Sequence, residues 1–366
     1  MYPYYPISSI PHQGYHWSGS HSRFFEGWYF RVTLPENKTS FAFMYSIEDP
    51  NGGQPHSGGA VQVLGLMDEY FCRTFPDVTR FWADRDKLEL GHWGQTKGNT
   101  PLHSLLPQQF DHSVIQGYQA SALWNQGQIS DPASGQRVRW HYHTRPLDGW
   151  GDRGQPSHAT AGWLSYLDIF EPGWQVLMSH GWASGWIEWG QHRYTFTNAP
   201  AYVEKNWGSS FPQKWFWINC NSFSTDPELS MTAVGSYRQV FGQLESVGMV
   251  GIHYQGKFYE FVPWNSKIKW IVEPWGYWHI TASNGQWKVE LTGTTSHPGT
   301  LVRVPSQKGL VPLCRDTTGG YLTLKLWSYP RHCFQGESSP ILVAHSQQCG
   351  LEIGGSPWIE PWIQGY

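Results

Sequence analysis

Charge is scarce in this chain. Of its 366 residues, 25 are Lys or Arg and 28 are Asp or Glu, so charged residues make up 14%, against roughly 25% in soluble domains generally. The cations form no stripe that could neutralise phosphates, which argues against a nucleic-acid partner. A net charge of −3 with 16% aromatic residues also excludes intrinsic disorder, because disordered chains combine high net charge with few aromatics.

Long apolar runs are missing as well. No stretch of about 18 apolar residues occurs, so the sequence predicts no membrane-spanning helix. The segment Met1–Ile10 lacks the charged and apolar regions of a signal peptide, and we therefore expect the protein to begin in the cytosol. The cysteines are odd in number, scattered and without a C-x-x-C pair, which predicts free thiols rather than disulfides or a zinc site. They are Cys72, Cys220, Cys314, Cys333 and Cys349.

Aromatic residues and turn formers are abundant instead. The chain holds 23 Trp, 19 Tyr and 18 Phe beside 40 Gly and 25 Pro. Short runs of aromatic and β-branched residues alternate with turn signals at short, regular intervals, a pattern typical of all-β barrels and sandwiches. Strands predicted in this way include Glu26–Thr33, Ser40–Ile47, Trp215–Ser222 and Tyr277–Ala282. Long amphipathic helical patterns are nearly absent, so we expect very little helix.

An internal echo suggests two copies of one unit. Gly27–Val32 resembles Lys214–Asn219, and the aligned Trp28 and Trp215 are separated by about half the chain. We predict two antiparallel β-barrels packed together. The first domain is predicted over residues 1–198 and the second over residues 199–366, with 206–213 as the crossing point.

Several motif searches give no known site. Gly149–Gly154 matches G-x-G-x-x-G by letter, but Pro156 stands where the required helix would begin, so we interpret it as a loop. Gly181–Gly185 has one residue too many between its first glycine and Ser184, and none between Ser184 and Gly185, so it does not match the G-x-S-x-G elbow of serine hydrolases. His141 and His143 would share a strand face, yet no third ligand lies nearby in the sequence. We expect no metal site.

The most informative segment runs from Leu177 to Trp217, where polar groups are interspersed with tryptophans. If 180–188 is a strand, five of its side chains project to one face by the period of two: His180, Trp182, Ser184, Trp186 and Glu188. Tyr202 and Glu204 share a face in the same way, as do Glu26, Trp28 and Phe30. A carboxyl group in an aromatic interior should stay protonated near pH 7, because desolvation disfavours its charged form. Such a group can donate a proton.

Simpler interpretations of these residues remain open. Glu204 and Glu188 could form salt bridges with Lys205, Arg193 or Lys214, and the tryptophans could fill a core, since the interior of a small barrel must be packed.

Eight strings carry a resemblance to a known family. They are Phe24–Arg31, Phe41–Glu48, Gly185–Gly190, Glu204–Gly208, Lys214–Trp217, Tyr259–Trp264, Pro274–Tyr277 and Leu351–Gly355. Together they resemble the tocopherol cyclases of plants and cyanobacteria from about residue 14 to residue 358, and the lack of a plastid transit peptide is similar to the cyanobacterial form. The resemblance implies closure of a prenylated quinol, such as 2-methyl-6-phytyl-benzoquinol, to a chromanol without a redox change or a cofactor.

A more distant likeness connects the chain to carotenoid 1,2-hydratases. Those enzymes carry an H-x-W pair followed, a little over twenty residues later, by Y-x-D. Here His180-Gly-Trp182 and Tyr202-Val-Glu204 resemble that arrangement, with Glu in place of Asp. The likeness implies that the two barrels are lipocalin-like.

Ring closure requires protonation of the prenyl alkene and removal of the phenolic proton, and therefore an acid and a base. We assign Glu204 as the acid, Tyr202 as its hydrogen-bonding partner, and Glu188 or Glu26 as the base or an orienting group. The expected substrate-binding residues are His180, Trp182, Trp186, Trp207 and Trp28. A long-chain lipid substrate further implies peripheral contact with a membrane, such as the thylakoid, or with a lipid droplet, made by Met1–Pro6 and exposed tryptophans.

Two alternatives come from other classes of protein. A lipocalin-like carrier of prenyl lipids or carotenoids would need the same apolar cavity but no acid. A glycan-binding or glycan-processing protein would use tryptophan platforms and paired carboxylates.

Overall fold

A computed structural model describes residues 10–19, 23–101, 103–132, 134–167, 171–240, 243–329 and 339–365. It confirms the predicted all-β class, in which two lipocalin-like antiparallel units pack together with little helix. Pro107–Ser113 is an α-helix, and four 3₁₀ turns cover Pro35–Asn37, Leu66–Asp68, Val78–Arg80 and Gly162–Tyr166. Residues 1–9, including Met1–Pro6, and Cys333 lie outside the described residues.

The first eleven strands form one antiparallel sheet in the order β4-β3-β2-β1-β11-β10-β9-β8-β7-β6-β5. Their bounds are β1 Phe25–Leu34, β2 Thr39–Glu48, β3 Gly58–Leu64, β4 Tyr70–Phe75, β5 Phe81–Ala83, β6 Glu89–Thr96, β7 Val114–Ser121, β8 Trp124–Ser130, β9 Arg137–Asp148, β10 Gly173–Trp189 and β11 His192–Gly208.

The remaining strands form the second sheet in the order β15-β14-β13-β12-β21-β20-β18-β17-β16-β22, with β19 paired to β20. Their bounds are β12 Lys214–Cys220, β13 Ser230–Val240, β14 Gln243–Tyr254, β15 Lys257–Phe261, β16 Lys267–Val272, β17 Tyr277–Ser283, β18 Trp287–Thr294, β19 Thr300–Ser306, β20 Gly309–Ser328, β21 Leu342–Gly355 and β22 Trp362–Gln364.

Each sheet curls around its own aromatic core. In the first sheet five strands lie between β2 and β7 in hydrogen-bonded order, yet Tyr45 stacks on Tyr118 with ring centroids 4.0 Å apart. In the second sheet four strands lie between β12 and β16, and the rings of Phe216 and Trp270 meet edge to face at 5.4 Å. Contacts over such strand separations require strong curvature, which produces two barrel-like units.

The boundary between the sheets lies later in the chain than predicted. β11 pairs with β10 between residues 192 and 207 and with β1 from residue 201 to its final residue, Gly208, which pairs with Phe25. A division between residues 198 and 199 would cut this strand, so the sheets are separated by residues 209–213, within the predicted crossing point. The two echoed strings form β1 and β12, the first strand of each sheet. That each sheet is an independent domain stays a prediction.

A third aromatic cluster joins the two sheets. It contains Trp174 and Tyr202 from the first sheet and Trp217, Val247 and Met249 from the second, all buried. The sheets therefore bury side chains against each other as well as inside each curl, and the space between them is lined by residues of β1, β11, β12, β20 and β21.

Candidate functional site

The pairing of β1 with β11 sorts their side chains onto two faces. Tyr29 pairs with Glu204, and Trp28 pairs with Lys205. Because side chains alternate along a strand, Tyr29, Tyr202 and Glu204 face the second sheet, whereas Trp28 and Lys205 face the opposite way. The predicted pair Tyr202 and Glu204 therefore lies between the two sheets and not inside a barrel.

Glu204 is held by three hydrogen bonds to a single oxygen. Its Oε2 accepts the Tyr202 hydroxyl at 2.6 Å, the Trp174 indole N–H at 2.9 Å and the Trp217 indole N–H at 3.1 Å. Tyr202 and Trp174 belong to the first sheet and Trp217 to the second, so the carboxyl group is fixed from both sides. The predicted partnership of Tyr202 with Glu204 has the geometry of a short hydrogen bond.

Oε1 is the oxygen of Glu204 that is available to hold and transfer a proton. Among the described residues it accepts no hydrogen bond, and it is not one of the fully enclosed polar atoms. Glu204 lines the crevice between the sheets. Since the lone pairs of Oε2 are occupied by donors, a proton on this carboxyl group resides on Oε1, which faces the crevice.

Burial favours the uncharged form of Glu204. Only 7% of the residue is exposed, and desolvation raises the pKa of its carboxyl group to about 7, against the downward pull of its three hydrogen bonds. In the described part of the chain no Lys or Arg forms an ion pair with it. The alternative of a salt bridge between Glu204 and Lys205 is therefore wrong, because Lys205 points to the other face of β11.

Two further buried acids, one lining the crevice and one paired with it from the neighbouring strand, were not assigned from the sequence. Glu352 of β21 accepts the indole N–H of Trp215 through Oε1 and lines the crevice with Glu204. Asp316 of β20 pairs with Glu352 across the two strands, is 1% exposed, and neither of its oxygens has a hydrogen-bond partner. Burial raises the pKa of both groups, and the charge of Glu352 also raises the pKa of Asp316.

Tyr29 shows how closely these acids converge. Its hydroxyl is buried without a hydrogen-bond partner and its residue lines the crevice. Its pKa is raised, first by burial and then by the charges of Asp316, Glu352 and Glu204, with Arg31 acting in the opposite sense. We define the inter-sheet crevice by Tyr29, Trp174, Glu204, Trp215, Trp217 and Glu352.

Glu26 belongs to a different cluster. It is fully buried and forms an ion pair with Lys205, while its other oxygen accepts the backbone N–H of His16 at 2.8 Å. The Lys205 ammonium lies 5.6 Å from the Trp28 ring and 5.4 Å from the Trp207 ring. Despite its burial, the pKa of Glu26 is lowered, because Lys205 and His16 stabilise its charge. This charged cluster does not include the acids of the crevice, and Glu26 and Trp207 do not line it. Trp28 is among the residues along the crevice, but its side chain packs in the core of the first sheet.

Glu188 lies at the far end of β10. Its carboxylate contacts Arg139 at 3.3 Å and Arg193 at 2.8 Å, with 24% of its side chain exposed. Trp186 lies under the same two guanidinium groups. The residue of β10 that pairs with Glu204 is Val176. Because Glu188 lies twelve residues after Val176 on the same strand, roughly 40 Å of extended strand separates the two carboxyl groups. The salt-bridge interpretation of Glu188 is the one the structure shows.

His180 and Trp182 are adjacent but lie in different environments. Their rings are 4.8 Å apart. His180 is fully buried, and desolvation lowers its pKa to about 4, so it is neutral. Trp182 is half-buried and lines a separate groove, which is formed by residues of both sheets. Irregularities in the pairing of β10 near residues 176–185 interrupt the alternation, since each bulge moves later side chains to the other face.

Sequence reasoning missed five residues that define the crevice, together with Asp316 beside it. The five are Tyr29, Trp174, Trp215, Trp217 and Glu352. A signal was present for four of them, because Tyr29, Trp215, Trp217 and Glu352 fall in strings used for the family resemblance. Trp174 and Asp316 gave none, because their role depends on a pairing between distant strands.

The described residues contain no group of three or more His, Cys, Asp or Glu side chains arranged to hold a metal ion. His141 and His143, considered above, have rings 5.1 Å apart, and His141 instead makes a hydrogen bond to the side chain of Gln126 at 3.1 Å. Within the same part of the chain, no helix is long and apolar enough to span a membrane.

Fold and site together define an all-β protein of two curled sheets that holds a buried carboxylic acid of raised pKa in an aromatic crevice between them. The family model described as tocopherol cyclase-like matches residues 22–355, and the chain belongs to that family. It is 43% identical to a probable tocopherol cyclase, chloroplastic, from Oryza sativa subsp. japonica and 42% identical to a tocopherol cyclase, chloroplastic, from Zea mays. Each alignment spans 96% of this chain and 80% or 79% of the relative.

Solved structures share the fold at low sequence identity. CghA in complex with Sch210972 superposes with a TM-score of 0.55 at 9% identity, over 91% of this chain and 89% of that protein. An AttH protein from Nitrosomonas europaea gives a TM-score of 0.50 at 11% identity, over 94% of this chain and 98% of that one. At these identities the likeness is one of architecture alone.

Proposed function

We propose that the chain closes the chromanol ring of prenylated methylbenzoquinols, converting a phytyl-benzoquinol to a tocopherol. The observation that carries the proposal is Glu204, a buried carboxylic acid with a raised pKa, whose Oε1 faces an aromatic crevice. Membership of the tocopherol cyclase-like family supplies the substrate class. The reaction is an intramolecular addition of the phenol oxygen to the prenyl double bond, and in class it belongs to the isomerases, as an intramolecular lyase.

Glu204 acts as the general acid in this proposal. Its Oε1–H bond breaks as the proton moves to the less substituted alkene carbon, and positive charge develops on the tertiary carbon. The three donors to Oε2 stabilise the carboxylate that remains, so the acid becomes stronger as the proton leaves. General acid catalysis of this kind contributes roughly 10²–10⁴-fold to a rate.

The aromatic walls contribute in two ways. Rings near the developing cation, with Trp174 and Trp217 closest to the acid, supply roughly 0.5–2 kcal/mol each. A larger contribution comes from folding the tail so that the phenol oxygen lies against the tertiary carbon, for which about 7–11 kcal/mol is available in well-oriented systems. Exclusion of water from the crevice matters too, because water would capture the cation as a tertiary alcohol.

The step conserves electrons. One proton enters the substrate at carbon, one leaves the phenol, and a C–O bond replaces the π bond. The balanced reaction consumes no oxidant or reductant, and its two proton transfers need only an acid and a base. We therefore propose that no cofactor takes part.

A non-catalytic carrier is the second candidate, and the packing of the sheets argues against its usual form. A lipocalin carrier holds its ligand inside the barrel, but here the described interiors are filled by large clusters of buried side chains. Such a carrier would also have no use for a buried acid with three donors. It would bind quinol and tolerate the loss of Glu204.

We further propose peripheral contact with a thylakoid membrane or a lipid droplet, through exposed aromatic side chains near the place where the two sheets meet. Trp163 is 61% exposed, Tyr166 65% and Trp264 46%. Trp264 lies in the turn between β15 and β16 of the second sheet and packs against Gly162, next to Trp163. Exposed Trp and Tyr side chains are favoured at the headgroup level of a bilayer. In a vesicle sedimentation assay, Trp163→Ser with Trp264→Ser should weaken binding, whereas Tyr329→Ser, at another exposed ring, should not.

The decisive experiment incubates purified protein with reduced 2-methyl-6-phytyl-benzoquinol in the presence of a chelator and without added cofactor. Chromanol identified by mass and retention time supports the proposal. Tight binding without product favours the carrier, and binding of soluble glycans with no response to quinols would favour the carbohydrate interpretation.

A further inference from the structure

We propose that Glu352 is the base that removes the phenolic proton, and that Asp316 is its proton-holding partner. The inference rests on the proposed function and replaces Glu188 and Glu26 in the base role, because both of those carboxylates are held in ion pairs away from the inter-sheet crevice. Three observations carry it: the way β12 holds the two acids, the pairing of Glu352 with Asp316, and the hydrogen bonds that distinguish these two carboxyls.

One strand presents a donor to each acid. Trp215 and Trp217 are two residues apart on β12, so their side chains emerge on the same face roughly 7 Å apart. The Trp217 indole N–H donates to Glu204, which comes from the first sheet, and the Trp215 indole N–H donates to Glu352, which comes from β21 of the second. The two carboxyls are thus held side by side along one wall of the crevice, the arrangement required when one substrate must receive and lose a proton.

Glu352 and Asp316 form a coupled pair. They are direct partners on β21 and β20, so their side chains share a face with Cβ atoms about 4.5–5.5 Å apart. Ionising both of two buried carboxyl groups at this separation is unfavourable in free energy, because their negative charges repel each other. The pair therefore retains one proton that a lone carboxyl group would lose.

The hydrogen bonds show which member ionises first. Glu352 receives the indole N–H of Trp215 and contacts the Cys314 thiol, and both interactions lower the pKa of its carboxyl group. Neither oxygen of Asp316 has a donor in good hydrogen-bonding geometry, although the neighbouring backbone N–H of Thr317 lowers the pKa of its carboxyl group. The single negative charge of the pair consequently resides on Glu352, which lines the crevice, while Asp316 keeps the proton behind it.

Other charged and titratable groups face this pair from the surrounding elements. Arg31 of β1 lowers the pKa of Asp316, and Asp68, between β3 and β4, raises it. The Arg31 guanidinium is already occupied by the backbone carbonyls of Asn219 and Gln348, at 2.9 Å each. Tyr29 of β1 faces both acids and Glu204, with its hydroxyl unpartnered.

The proton transfers balance over one turnover. Glu204 gives its Oε1 proton to the alkene carbon, the phenol oxygen forms the C–O bond, and the phenolic O–H bond breaks with its proton passing to the Glu352 carboxylate. The cycle leaves Glu204 ionised and Glu352 protonated. Return of one proton from Glu352 to Glu204 restores the starting state, and no other reactant is consumed.

The test compares Glu352→Gln with a matched control, Glu260→Gln. Glu260 also accepts an indole N–H, from Trp150 at 2.8 Å, but it does not line the crevice. Gln keeps the acceptor oxygen in both variants. Chromanol formation from reduced phytyl-methylbenzoquinol is followed over pH 5–9, with KM measured separately from kcat. A ring-fluorinated quinol, whose phenol is more acidic, serves as a second substrate.

We expect kcat of Glu352→Gln to fall about 10²–10⁴-fold with KM changed less than threefold, and Glu260→Gln to keep the wild-type rate. The rising limb of the pH profile on its acidic side should disappear, because that limb reports ionisation of the base. The fluorinated quinol should recover at least tenfold of the loss. Asp316→Asn, which retains Glu352, should stay active with that limb near its wild-type position, because Asn replaces a carboxyl group that is already uncharged.

The outcomes separate the inference from the function on which it rests. If the wild-type protein makes no chromanol, the proposed function fails. If the wild-type protein cyclises and Glu352→Gln does so equally fast, or is slow with the acidic limb intact and no response to the fluorinated quinol, the base assignment is overturned while the cyclase proposal stands. If Glu352→Gln fails to fold, an acidic limb that moves to markedly lower pH in Asp316→Asn overturns the assignment of the charge to Glu352, because it would show that Asp316 is the ionised member of the pair.

Discussion

Replacing Glu204 by Gln should remove most of the activity and stabilise the protein above neutral pH. The amide oxygen of Gln can take the place of Oε2 and accept the same three donors from Trp174, Tyr202 and Trp217, so the local structure should be kept. Only the transferable proton is lost. We expect kcat to fall about 10²–10⁴-fold, equivalent to roughly 3–5 kcal/mol of activation free energy.

The gain in stability follows from the raised pKa of the acid. The Glu204 carboxyl has a pKa of about 7 in the folded protein and an ordinary value of 4.5 once unfolded. Between these values the folded protein keeps a proton that the unfolded chain releases, so the free energy of unfolding falls as pH rises from 4.5 to 7 and levels off above. The difference of about 2.5 in pKa corresponds to about 3 kcal/mol. Gln does not ionise and does not carry this cost.

Urea unfolding of both proteins at pH 5 and pH 8 measures the effect. The variant should match the wild type near pH 5 and exceed it by up to about 3 kcal/mol at pH 8, while the chromanol assay reports the loss of kcat. Stability curves that run parallel at the two pH values would show that Glu204 is ionised in the folded protein. Cyclisation at the wild-type rate would end its assignment as the acid.

Four further substitutions test the surrounding geometry. Tyr202→Phe removes the 2.6 Å hydrogen bond that lowers the pKa of Glu204, so the basic limb of the pH profile should move to higher pH and kcat should fall; an unmoved limb would contradict this. Trp217→Phe keeps the ring but loses the 3.1 Å bond, and the same limb should shift in the same direction by a smaller amount. Glu26→Gln leaves Lys205 buried without its partner and should cost about 3–5 kcal/mol of unfolding free energy with kcat per folded molecule unchanged; a normal melting temperature would refute the buried ion pair. Glu188→Gln removes a partly exposed ion pair, worth less than about 1 kcal/mol, and should leave kcat unchanged, whereas a hundredfold loss would restore Glu188 as a candidate base.

The fold was predictable from the sequence because short aromatic runs and turn residues specify strands locally. Glu26–Thr33 lies within β1 and Tyr277–Ala282 within β17, and the internal echo identified the first strand of each sheet. The boundary at residue 198 was not predictable in the same way. It falls inside β11, a 17-residue strand. The second half of this strand is held by pairing with β1, the first strand of the same sheet, so the sequence around residue 198 does not show where the strand ends.

The candidate site was predictable only where a local pattern was sufficient. Tyr202 and Glu204 share a face by simple alternation, and their hydrogen bond follows from it. Alternation failed in β10, because irregular pairing near residues 176–185 moves side chains between faces without a clear mark in the sequence. Asp316 and Glu352 lie on separate strands and are joined only by the register of β20 with β21. No local pattern contains that register.

The contrast between Glu26 and Glu204 explains why the acid belongs between the sheets. Both carboxyls are buried on the paired strands β1 and β11, yet the pKa of Glu26 is lowered and that of Glu204 is raised. The difference lies in Lys205, which neighbours Glu204 in sequence but points to the opposite face and pairs with Glu26. A register shift of one residue would exchange the faces of β11 and place the ammonium group in the crevice. There it would ionise Glu204 and repel a developing carbocation, so the pairing of Trp28 with Lys205 is as necessary to the proposed chemistry as the acid itself.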